Sequence, residues 1–155
     1  MRDLAKFEAD LKKLSDTLNI SLDKVLRKTA MDVFKGVVMR TPVDTGALRA
    51  SWQVGLNKVP DARVNIHGGR LASAGASFVA FHSANSTINK AQCGDIVVIS
   101  NHMDYAETAE FGLWHGPTKK VTAAGFSRQA PAGMVRVTLI SVRNALVRML
   151  KDIKL

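Results

Sequence analysis

The chain has 155 residues, 46% hydrophobic and 23% charged, a balance that suits one folded domain and excludes disorder along its whole length. A chain of this size removes about 68–70% of its unfolded surface from water, so it needs no staples. Lys and Arg number 22 against 13 Asp and Glu, giving +9, while the single Cys93 excludes an intrachain disulfide and any site built on two thiolates.

No apolar run approaches the roughly 20 residues of a membrane span. The opening, Met1 to Glu8, is charged and lacks the apolar core of a signal peptide. The expectation is a chain that folds in the cytoplasm, with no membrane partner. The basic residues are scattered in pairs and singles (Lys12-Lys13, Arg27-Lys28, Lys119-Lys120), with no run of five. Solubility, an acidic protein partner or DNA contact would each account for +9.

From Leu4 to Met39 apolar residues recur at helical spacing, broken only at Asn19-Ile20-Ser21. This predicts two helices or one bent helix, with Ser21 as half of a capping signal. Thr41-Pro42 ends the pattern, because the residue before proline leaves the α region. Asp44-Thr45-Gly46 then supplies turn chemistry, with Gly46 suited to positive φ. Ser51 to Asn57 alternates, placing Trp52, Val54 and Leu56 on one face of a half-buried strand.

Lys58 to Ser77, with Pro60, Gly68-Gly69 and Gly75, predicts a long loop or a hairpin arm. Its short alternation of Val64 and Ile66, flanked by Arg63 and Arg70, marks it as a candidate interaction loop that gains order on a neighbour. Phe78 to Phe81 suggests a second strand, Ala84 to Gly94 a polar turn region, and Asp95 to Ser100 a buried strand. Asn101 to Gly112 predicts a turn and a short helix closed by glycine, and Val121 to Phe126 stays ambiguous. After Pro131-Ala132-Gly133 a last helix carries Val135, Leu139, Val142, Leu146, Met149 and Ile153 on one stripe. The fold class is α+β, a small antiparallel sheet packed against long N-terminal and C-terminal helices within a single domain.

Chemistry is thin. His67, His82, His102 and His115 lie 15, 20 and 13 residues apart, without the close pairs of a metal site. Cys93 has no base placed beside it by sequence, Glu107 and Glu110 suit a solvated helix face, and Gly68-Gly69 lacks a phosphate-loop context. No catalytic, cofactor-binding or metal site is expected, and an enzyme such as a nuclease is the weakest reading.

Two segments stand out. The first runs Thr41-Pro42-Val43-Asp44-Thr45-Gly46-Ala47-Leu48-Arg49-Ala50-Ser51-Trp52, a helix stop and turn leading into a strand. The second is Tyr105-Ala106-Glu107-Thr108-Ala109-Glu110-Phe111-Gly112, preceded by Asn101. An ion pair between Arg49 and Glu110 would join them. In this order, before a basic loop and a final helix, the segments resemble the tail-completion or neck proteins of long-tailed bacteriophages, also called minor tail or head-tail joining proteins. The match lies at Thr41, Pro42, Asp44, Thr45, Gly46, Leu48, Arg49 and Ser51, then at Asn101, Tyr105, Ala106, Glu110 and Gly112. Arg128 to Met134 departs from the aromatic, proline-containing approach common in that family.

The resemblance implies a structural virion protein without cofactor, located in the tail or neck after assembly in the host cytoplasm. It implies self-association into a ring, hexameric or dodecameric, that joins the head connector to the tail tube. Head-completion, connector, tail-tube and tail-terminator proteins are the implied neighbours, with non-specific contact to transiting DNA. A tail terminator capping the tube is the alternative, and a basic DNA-binding protein the more distant one.

Overall fold

The computed structural model describes residues 2–60 and 73–152. Its first element is a single helix, α1 (Arg2–Arg40), of 39 residues and about 58 Å. The interruption expected at Asn19-Ile20-Ser21 does not occur. Ser21 Oγ donates to the Thr17 carbonyl and Thr17 Oγ1 to that of Lys13, so both hydroxyls are absorbed into the helix. Pro42 stops it as expected, one residue after Thr41.

A four-residue helix, α2 (Ala47–Ala50), follows the turn and leads directly into β1 (Trp52–Leu56). β1 pairs antiparallel with β2 (Val97–Asn101), Trp52 opposite Asn101 and Leu56 opposite Val97. Beyond β1, Asn57 takes φ 58, a left-handed conformation that asparagine tolerates, and its amide bonds Asp95 Oδ1 and the Ile96 N–H. Neither strand is buried as expected. Gln53 and Gly55 are buried as well as Trp52, so β1 is covered on both faces, whereas β2 is half-buried throughout, with Ile96 before it exposed.

The largest correction lies between the strands. Ser73 to Ile88 is helix α3, not a loop end, a strand at Phe78–Phe81 and a polar turn. Its inward face is Ala76, Ala80, Ala84 and Ile88, each at most 1% exposed and four residues apart. Alanine gives a weak apolar signal, while Phe78 and Val79, which suggest a strand, point outward. The small side chains let α3 pack against α1, α2 and β1. The candidate loop residues Arg63, Val64, Ile66 and Arg70 lie outside the described residues.

The short helix α4 (Ala106–Phe111) ends at Gly112 in the left-handed region, φ 69, and α5 (Val135–Asp152) closes the fold, both as expected. The ambiguous stretch from Val121 contributes only an isolated bridge to Ser127. The core gathers Phe34, Val37 and Val38 of α1, Leu48, Trp52, the alanines of α3, and Met134. Where α1 crosses α5, Gly36 permits close approach: a Cβ there would lie 2.3 Å from Thr138 Cγ2.

Candidate functional site

The first motif is built around Thr41. Its Oγ1 donates to the Val37 carbonyl at 2.6 Å and accepts from Trp52 Nε1 at 2.7 Å. Its carbonyl oxygen accepts from Arg49 Nε at 3.1 Å and Nη2 at 2.6 Å, and Nη2 also reaches the Met39 carbonyl. The chain cannot run straight from α1 into β1, so these bonds satisfy carbonyls left open where the helix stops. Arg49 is 8% exposed, and burial lowers its pKa. Gly46 has φ 86, as expected of the turn, and Leu48 and Ser51 are buried beside it.

The second motif is built around Glu110, which is 7% exposed. Its Oε2 accepts from the backbone N–H groups of Met134 (2.6 Å) and Val135 (2.8 Å), and its Oε1 from the N–H and Nε of Arg136 at 3.1 Å each. Burial pushes the pKa of Glu110 up, but these four donors outweigh it and hold the carboxyl below its ordinary value. A carboxylate from α4 thus caps α5, 24 residues further on, where N–H groups lack helical partners. Gly133, at φ 83, lets the Glu110 carbonyl approach, and Arg136 returns over the Phe111 ring at 5.1 Å. The expected Arg49–Glu110 ion pair does not form: Glu110 pairs with Arg136, and Arg49 holds the end of α1.

The motifs nevertheless meet. Asn101 Nδ2 donates to the Leu48 carbonyl at 2.8 Å while its Oδ1 accepts from the Met103 N–H. Pro42, Asp44, Thr45, Gly46 and Leu48 from one motif and Tyr105 from the other line a single open cavity of about 250 Å³. Trp114, Lys120, Val121, Ser127 and Gln129 complete its wall. Lys120 pairs with Asp44 at 3.0 Å on the exposed rim. The Gln129 side-chain amide accepts from the Val43 N–H at 2.8 Å and donates to the Val43 carbonyl at 2.9 Å. Tyr105 is 38% exposed; burial and then the charge of Asp44 raise its pKa, partly opposed by a backbone hydrogen bond from Leu48.

The motif residues therefore divide. Thr41, Arg49, Trp52, Glu110 and Gly112 hold backbone together, while Asp44, Thr45 and Tyr105 face outward at the cavity. Ala106 packs, half-buried, against the core. Sequence reasoning missed Lys120 and Gln129, which reach the first motif from 76 and 86 residues away. Spacing carries no signal at such separations.

The other polar candidates stand apart. His102 Nε2 contacts the Pro60 carbonyl oxygen, His82 stacks on Phe78, His115 is exposed, and His67 lies outside the described residues. Cys93 is exposed, with its backbone N–H on Asp23. Among the described residues no three His, Cys, Asp or Glu side chains cluster as a metal site would need, and no helix is long and apolar enough to cross a membrane.

No curated protein and no solved structure matches the chain. Residues 5–112, more than two thirds of its length, match the HK97-gp10-like family, described as "Bacteriophage HK97-gp10, putative tail-component". That span runs from α1 to Gly112 and contains both motifs. The chain belongs to this HK97-gp10-like family of bacteriophage tail components, and its role is a structural one in the phage tail.

Proposed function

We propose that the protein is a structural protein of the phage neck, forming a homo-oligomeric ring that joins the head connector to the tail tube. The observation that carries this reading is the family match over the stretch containing both motifs. Head-completion or connector proteins and tail-tube or terminator proteins are its neighbours, and transiting DNA touches its basic surface without sequence preference. The protein does no catalysis in this reading, because the buried charges of both motifs are committed to backbone groups: Arg49 to carbonyls, Glu110 to N–H donors. A rigid clasp with an open, mixed-charge cavity supports use as a docking surface.

The test is a phage lacking the gene, complemented from a plasmid. Full heads and free tails of normal length should accumulate without it, and joined virions should return with the intact gene. Overlong tubes would replace the reading with that of a tail terminator. Normal joined particles in the absence of the protein would refute both.

A further inference from the structure

Two apolar surfaces of this chain lack a partner among the described residues, and they lie at different places. The first is the front half of α1. Every side chain from Ala9 to Thr17 is exposed, and Phe7 (59%), Leu11 (50%), Leu14 (57%) and Leu22 (49%) form one stripe about 22 Å long. The second is a groove of about 390 Å³ between the rear half of α1, the sheet and α5, lined by Leu26, Val33, Trp52, Val97, Ile99 and Leu139. Exposed apolar surface of this continuity marks an interaction site.

We infer that the α1 stripe of one copy docks in this groove of a second copy. Three observations select that occupant. The stripe cannot reach its own groove, because α1 is unbroken from Arg2 to Arg40 and its rear half forms one wall. The charge balance differs along the chain: residues 1–23 are close to neutral, with four basic and five acidic side chains, whereas the remaining 132 are basic, with eighteen and eight. Exposed Asp10 lies one turn from Phe7 and Leu14, and exposed Arg143 lies one turn beyond Leu139. Stripe-on-stripe pairing would instead leave the groove open.

Because stripe and groove are different surfaces, the contact is heterologous, and repetition through a closing rotation makes a ring. The inference rests on the proposed ring and says which surfaces build it.

The experiment uses the purified full chain in analytical ultracentrifugation. The stripe variant is Leu11→Asp with Leu14→Asp, and the groove variant is Leu139→Glu, with Leu26→Glu in its place if Leu139→Glu lowers the melting temperature. Wild type should form a closed oligomer, and each variant should be monomeric with an unchanged circular dichroism spectrum. An equimolar mixture should recover a one-to-one dimer, since one intact stripe meets one intact groove. Variants that assemble like wild type would overturn the inference and leave the ring standing. Monomeric variants whose mixture stays monomeric would overturn it too. A wild type that is itself monomeric would remove the ring reading along with it.

Discussion

The substitution Glu110→Gln removes one charge and changes the shape of the molecule little. The carboxylate accepts four hydrogen bonds at 2.6 to 3.1 Å, three of them from the open N–H groups of α5. The amide that replaces it would keep one carbonyl oxygen and turn its NH₂ towards a donor. Hydrogen bonds to a charged group contribute about 1.5–3 kcal/mol each, and a charge at a helix N-terminus about 0.3–1 kcal/mol. The cost of burying the charge offsets part of this, so the net loss should be about 2–3 kcal/mol, or roughly 5–10 °C in melting temperature. The effect should also depend on pH. The folded-state pKa of Glu110 is depressed, so its stabilisation is complete above the ordinary carboxylate value of 4.5 and is lost as pH falls through the lower folded-state value. Urea unfolding of both proteins at about pH 7 and about pH 3 should show a gap that narrows in acid. Equal stability near neutrality, or a gap that does not change with pH, would refute the capping role.

Gly36→Ala should destabilise by about 1–2 kcal/mol, the clash with Thr138 exceeding the roughly 1 kcal/mol gain in helix propensity, and Thr138→Ser should recover part of it; a more stable alanine variant would contradict the close crossing. Gly46→Val should cost about 1–3 kcal/mol through strain at φ 86, read as a lower melting temperature. Lys120→Ala should change stability by under about 0.5 kcal/mol in urea unfolding, because its pair with Asp44 is exposed. Substitutions of Arg49 and Glu110 should be additive in a double-mutant cycle, since each holds a different joint; a coupling above about 0.5 kcal/mol would show that they communicate.

What the sequence revealed follows the range of the forces involved. Pro42 stopping α1, Gly46 at positive φ and Gly112 closing α4 are local constraints, readable from the residues themselves. The strands were legible because Trp52, Val54 and Leu56 alternate in one and β-branched residues cluster in Val97–Ile99 of the other. Helix α3 was not, since its inward face is alanine and its bulky Phe78 and Val79 face outward. The motifs were recognisable as strings, but their work was not: Glu110 choosing α5 over Arg49, and Gln129 gripping Val43, depend on where distant segments come to rest. The exposed stripe on α1 has the periodicity of a core face, and periodicity does not say whether the covering surface belongs to the same molecule.

The buried face of α3 has a consequence for alignment as well as for packing. Ala76, Ala80 and Ala84 recur every four residues, so sliding the helix by four residues, about 6 Å, with a small rotation lays alanine on alanine and costs little shape. Ile88 breaks the repetition: the same slide would push its larger side chain into a space shaped for Ala84. Ile88, together with Phe81 set edge-on against Phe34 at 5.6 Å, therefore fixes the register of an otherwise repetitive helix. Ile88→Ala would remove more than packing, because it would erase one of the two marks that seat α3 along β1.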